Sequence, residues 1–336
     1  MSREGPKMAR YNSKRQCLSS LLVLLAAPLF LGPSFADQVD QGSSRELYGA
    51  ECRKQVGDIP DFSCSDGVPV PITVDGKGVP VTKNMTCDRP ALLPNGANSD
   101  GQCVPNSRIL SLSTETMQIA VMCRQKIIRP ADQMEFDEID IVAHNPKTGA
   151  TCWFQAEGKA DQPVSGEKMP SPTSKPSSDF WNAPETTVNN GCGVCHDNDP
   201  FMFSPFVGQV WGHMPANPFG PYYHVDLPPP HELGFAKWPT EALNPTDNTC
   251  IACHRIGIAE TCRQLTDAMT GRFPDGADDW ARRFPGSHAM PPEIGITQSS
   301  WNAIYKSSVD QIRSCCQKPD QPACHMTSIP AHPQTD

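Results

Sequence analysis

The chain of 336 residues carries a formal net charge of −9, only 19% charged residues, 35 prolines and 15 cysteines. No apolar run reaches about 18 residues, which excludes a polytopic membrane protein. The acidic balance excludes a nucleic-acid binder, which needs a basic face, and the cysteine count excludes an ordinary reduced cytosolic protein. The length suits roughly two domains.

Residues 1–16 hold Arg3, Lys7, Arg10, Lys14 and Arg15 against one acid, Glu4. An apolar run from Cys17 to Leu31 follows and ends in Gly32-Pro33-Ser34-Phe35-Ala36. This is the layout of a secretory signal, residues 1–36, cleaved after Ala36. Its removal takes away five bases and one acid and leaves the exported chain near −13. That chain is expected in the periplasm or otherwise secreted, with no membrane span and with 14 cysteines in oxidising surroundings.

Residues 37–50 read as a polar lead-in to a small disulfide-stapled, β-rich domain, 37–156, with Cys52, Cys64, Cys87, Cys103, Cys123 and Cys152. Val68 to Val74, then Asp75-Gly76-Lys77-Gly78, then V-P-V-T predict a hairpin turning at the glycines, its prolines confining it to a sheet edge. Met117 to Cys123, Ile139 to His144 and Thr151 to Gln155 are expected strands, with a turn over Asn145 to Gly149. Residues 157–179, rich in Pro, Ser and charge, read as a linker. The last segment, 180–336, is Pro-rich and loop-rich. It carries an expected helix over Glu260 to Phe273 and another capped by Thr297 with Trp301, Ile304, Tyr305 and Ile312 at helical spacing. So little apolar periodicity over about 150 residues leaves a conventional core wanting.

Two copies of one motif stand in that segment. Cys192-Gly193-Val194-Cys195-His196 and Cys250-Ile251-Ala252-Cys253-His254 are both C-x-x-C-H, the attachment pattern of c-type haem. Two thiols three residues apart lie on one side of a helical turn, where each adds across one vinyl group, and the following His supplies the proximal nitrogen. A haem also brings a large apolar surface that can stand in for a missing side-chain core. The 58 residues from Cys192 to Cys250 are too many for a zinc ribbon, and no βαβ pattern precedes either motif as in thiol oxidoreductases.

On these residues the chain, over roughly 180–316, resembles periplasmic di-haem c-type cytochromes. With the β-rich first half, the resemblance implies an α+β or irregular fold. A small disulfide-rich β domain would be followed by a loop-rich, mostly α, di-haem cytochrome c-like domain, 180–336. It implies two c-type haems, bound through Cys192, Cys195, Cys250 and Cys253, with His196 and His254 as proximal iron ligands. Met290, in His288-Ala289-Met290-Pro291-Pro292, looks like the distal loop of small mono-haem c cytochromes and is the expected distal ligand of the second haem, with His288 its rival. For the first haem the candidates are Met214, again before Pro, and His213. His224 and His231 remain open, and Met202 is read as too close in sequence to cross the ring. Two motifs this close imply fused or close-packed haem units. No catalytic residue is assigned.

Ten further cysteines suit five bridges. The six in 52–152 are expected to pair among themselves and Cys262, Cys315, Cys316 and Cys324 likewise, with the adjacent Cys315 and Cys316 reaching different partners. His144 and His332 read as surface or turn residues. Trp211, Tyr222, Tyr223 and Arg255 are candidates to cover haem faces. The function implied is electron carriage between redox partners, the acidic surface suiting a partner with a basic docking face. The alternative is a di-haem oxidoreductase, peroxidase-like or small-anion oxidising, with one open haem. A third reading makes 51–156 a receptor.

Overall fold

The computed structural model describes residues 41–92, 98–159, 161–202, 204–211, 219–266 and 297–330. The chain divides into two units, residues 1–38 and 39–336. The first, with the expected signal, lies outside the described residues, as do His213, Met214, His288, Met290 and His332.

Residues 41–50 are helical rather than a polar lead-in. Helix α1 (Gln41–Val56) spaces Ser44, Tyr48, Cys52 and Val56 four apart, so one narrow stripe, apolar in its last three residues, is buried beneath otherwise mostly polar turns. Strand β1 (Val68–Pro69) is followed by the expected hairpin of β2 (Thr73–Val74) and β3 (Lys77–Gly78). Its turn residues Asp75 and Gly76 both take positive φ, 51° and 72°, as a two-residue hairpin loop requires. Then come β4 (Arg108–Ser111), β5 (Gln118–Arg124), β6 (Glu135–Phe136), β7 (Glu138–His144), β8 (Ala150–Glu157) and β9 (Val164–Ser165). The remainder supplies α2 (Pro184–Asn190), α3 (Cys192–Cys195), α4 (Pro205–Gly208), β10 (Tyr223–His224), β11 (Glu241–Leu243), β12 (Ile256–Gly257), α5 (Gln298–Gln317) and β13 (Met326–Ser328).

Six strands form the main sheet in the order β1-β4-β5-β7-β8-β10, antiparallel throughout except the last pair, with the proline-bearing β1 at an edge as expected. Period-2 alternation gives it two unlike faces. Ile119, Val121, Cys123, Ile139, Ile141, Ala143, Cys152, Phe154 and Ala156 share the apolar face, in one core with Tyr48, Cys52 and Val56 of α1. The other face carries Ala120, Met122, Arg124, Glu138, Asp140, Val142, His144, Thr151, Trp153, Gln155 and Glu157.

The expected mostly α, cytochrome c-like second half does not form. Among the described residues of 180–336 there is one long helix, α5. The rest is short turns, a three-stranded sheet β12-β11-β13, and strand β10, which joins the first half's sheet. Prolines keep the helices short, and a sheet with a half-apolar second face needs a covering layer. Residues 157–179 correct the linker reading in the same way. Val164 and Ser165 pair with β6, Met169 bridges Phe62 and is buried, and Ile59 N–H donates to Thr173 Oγ1 at 3.1 Å. Trp181, Phe235, Trp238 and Ile329 enter the core begun by α1.

The bridges are Cys52–Cys152, Cys64–Cys123, Cys87–Cys103, Cys262–Cys316 and Cys315–Cys324. The two expected groups hold, and Cys315 and Cys316 reach different partners. Five disulfides mark an oxidising environment, extracellular or periplasmic. Among the described residues no helix is long and apolar enough to cross a membrane.

Candidate functional site

Pro184 opens α2 at its first turn, and Gly191, at φ 70°, ends it in the left-handed conformation and starts α3. In α3 the His196 N–H donates to Cys192 O at 2.9 Å. The second motif makes the same closure, His254 N–H to Cys250 O at 2.9 Å, so both motifs are single helical turns. Asn248 ties the second turn to α5: its Oδ1 accepts from Cys250 N–H, and its Nδ2 donates to Ser308 O and Gln311 Oε1. Among the described residues the free cysteines are Cys192, Cys195, Cys250 and Cys253, the four thiols of the two motifs.

His196 presents a free ring nitrogen. Its Nδ1 lies 3.0 Å from Pro200 O, and a carbonyl only accepts, so Nδ1 bears the proton and Nε2 keeps its lone pair. Burial lowers its pKa to about 4, which keeps the ring neutral. Trp153 sets its indole against this ring at 4.9 Å, and Tyr222 donates to His196 O at 2.6 Å. His224 is the reverse case. Trp153 Nε1 donates to its Nδ1 at 3.0 Å, so its proton sits on Nε2 and no lone pair is left for a metal. His231 is exposed, whereas His144 is buried, with Nδ1 2.9 Å from Thr151 Oγ1, not a surface residue.

Between the first motif and the polar sheet face lies a cavity of about 450 Å³. Cys192, Cys195, His196, Phe201 and Met202 form one side, and Met122, Arg124, Glu138, Asp140, Trp153 and Gln155 form the other. Met202, set aside on sequence separation, is on the wall, as is Met122. Trp211 also lines the cavity, and Tyr222 anchors the motif from behind. Burial pushes the Cys192 thiol up, and Cys195 up to about 11. A redox-active C-x-x-C needs the opposite shift.

The wall residues of the first half were not legible as a site. The alternation Glu138-Ile139-Asp140-Ile141 was the available signal, but polar residues at every second position of a strand ordinarily face water.

Asp197 and Asn198 join the two motif regions. Asp197 is fully buried and accepts from Thr261 Oγ1 at 2.5 Å and Ala259 N–H at 2.6 Å; burial raises its pKa to about 6. Asn198 Nδ2 donates to Arg255 O at 2.5 Å. Standard backbone dimensions then hold the Cα atoms of His196 and His254 within about 20 Å of each other. Cys253 and His254 are exposed among the described residues. Met290, expected opposite the second motif, and Met214 and His213, expected opposite the first, are outside the described residues. Among the described residues no three His, Cys, Asp or Glu side chains converge as a metal cage.

Comparison with known proteins finds no match among described families, curated proteins or solved structures.

Proposed function

We propose that this chain is an exported di-haem c-type protein that carries electrons between redox partners. Cys192, Cys195 and His196 would hold one haem, and Cys250, Cys253 and His254 the other. The observation that carries this reading is the division of thiols. Among the described residues ten cysteines pair in five bridges, and the four left free are those of the two C-x-x-C-H turns. In oxidising surroundings such thiols close into a cystine or take a partner, and haem offers each of them one.

The first motif fits the group. Its thiols are neutral, His196 presents a free Nε2 lone pair, and the adjoining cavity of about 450 Å³ lies inside the range of cofactor sites, roughly 300–1,000 Å³. A bound haem supplies an iron that takes up and gives back one electron. The chain does the rest. Pro200 O fixes the His196 tautomer, Trp153 packs against the ring, Phe201 lines the cavity beside it, and Met122 and Met202 offer thioether sulfur on the wall. The short link from Asn198 to Arg255 keeps the motifs close enough for one to serve the other. The exported charge near −13 suits a redox partner with a basic docking face.

Mass spectrometry of the exported protein tests the proposal. Tryptic peptides containing Cys192–Cys195 and Cys250–Cys253 should each carry one haem, and Cys192→Ser with Cys195→Ser should remove one haem and leave the other. Cystines or zinc at these four thiols would overturn it.

A further inference from the structure

The wall of the first cavity holds a carboxyl pair that cofactor attachment does not use. Asp140 and Glu138 are alternate residues of β7, so both stand on the cavity face. Asp140 lies across from Met122 and Gln155, and Glu138 across from Arg124 and Glu157. Glu138 pairs with Arg124 Nη1 at 3.2 Å and with Lys126, and accepts from Gln155 Nε2 at 3.2 Å. Among the described residues, Asp140 Oδ1 is buried and meets no N–H or O–H donor. The two carboxyls therefore share one face of β7 at the cavity, one held in ion pairs and the other without a cation of its own in contact.

Burial, then the Glu138 charge, hold Asp140 well above the ordinary carboxylate range. At Glu138 burial pushes the same way, but Arg124 and Lys126 outweigh it and keep that acid ionised. The remaining charged or titratable groups facing the pair are Glu157, held by Asn190 Nδ2 at 2.7 Å, and the motif's Cys192, Cys195 and His196. Both acids are felt electrostatically at Cys192. Coupling of this kind is reciprocal, so charge arriving at the motif is felt at the pair.

We propose that Asp140 and Glu138 form a proton-binding site coupled to the first motif, taking one proton from bulk water for each electron delivered there by a donor protein. This rests on the haem reading above. On reduction one electron enters the cavity and one proton enters the pair, so the cavity's net charge is unchanged; on transfer to an acceptor both leave. Added negative charge favours the protonated pair. The potential of this centre therefore falls as pH rises through the pair's range, approaching about 59 mV for each tenfold drop in proton concentration in a one-electron step.

Potentiometric titration of the holoprotein across neutral pH tests this. One of the two redox waves should show the slope in the wild type. It should flatten in Asp140→Asn and Glu138→Gln and persist in Asp199→Asn, whose carboxyl burial also raises, to about 7. A flat wild-type response, or a slope that survives Asp140→Asn or vanishes in Asp199→Asn alone, would overturn the proposal. Should Asp140→Asn fail to fold, redox-difference infrared spectra of the wild type decide. A protonated-carboxyl band that changes with reduction and shifts in heavy water supports the site, and its absence overturns it. Covalent haem with a pH-independent potential would sink this inference alone; absence of covalent haem would sink both.

Discussion

Gly193 shows how tightly the first motif is fitted to its surroundings. A Cβ built on it would lie 2.3 Å from a ring carbon of Trp238, far inside any real contact. Trp238 in turn stands edge-on to Trp153 and His224, so it has little room to retreat. Gly193→Ala is therefore expected to cost about 1–3 kcal/mol through overpacking. Urea titration of the holoprotein measures this, and Val194→Ala, at the half-exposed neighbouring position, should cost less. The two motifs were legible because their chemistry is compressed into five consecutive residues. The need for glycine inside the first was not, because Trp238 arrives from 45 residues away. The Nδ1 bond of His196 to Pro200 is local in sequence, yet it depends on how the chain turns after α3, which spacing does not fix.

At the scale of elements, the turn joining β5 to β7 depends on one carboxylate. Asp137 receives both Arg129 Nη groups, at 2.6 and 2.7 Å, and the N–H groups of Lys126 and Ile127 at 2.5 and 3.1 Å. It thereby also fixes Lys126, which reaches the cavity wall. Burial alone would raise the Asp137 pKa, but Arg129 and the backbone donors outweigh it and hold it below the usual carboxylate value. A carboxylate with a depressed folded pKa stabilises the fold fully above its unfolded value, near 3.9, and that contribution is lost as pH falls toward the folded pKa. Both side chains are about nine-tenths buried, so Asp137→Asn, which strands Arg129, is expected to cost about 3–5 kcal/mol at pH 7. Chemical unfolding at pH 7 and at pH 3 measures this: the gap between variant and wild type should narrow at the lower pH. The strands themselves were readable from alternation, and α5 from its Thr297 cap, whose Oγ1 accepts from Ser300 N–H at 3.2 Å. Helix α1 was not, because its apolar stripe holds only Tyr48, Cys52 and Val56 amid charged neighbours.

At the scale of the whole molecule, the sheet of the first half and the motif-bearing second half are parts of one unit, residues 39–336. Composition pointed to two domains because residues 157–179 have few apolar side chains. Their backbone groups nevertheless find partners, as in Trp181 Nε1 to Pro170 O at 2.8 Å and Ser171 N–H to Asp61 Oδ1 at 2.6 Å. Long-range pairing of this kind leaves no periodic trace. It also makes the first half dependent on the second: Tyr48 stacks on Phe235 with centroids 4.6 Å apart, and Trp238 stands edge-on to Trp153. A fragment of residues 37–179 lacks Trp181, Phe235 and Trp238. Burial of each stabilises by about 1.5–3 kcal/mol, so together they amount to about 5–9 kcal/mol, against a typical total stability of about 5–15 kcal/mol. The fragment also loses β10 and bares the edge of β8 to other chains. It should therefore show weak near-ultraviolet dichroism, bind hydrophobic dyes and aggregate, while limited proteolysis of the full chain should spare 157–179. Cooperative unfolding of the fragment at the full chain's midpoint, or rapid cutting within 157–179, would instead mean that the halves fold independently and that the cavity between motif and sheet is not built into a common core.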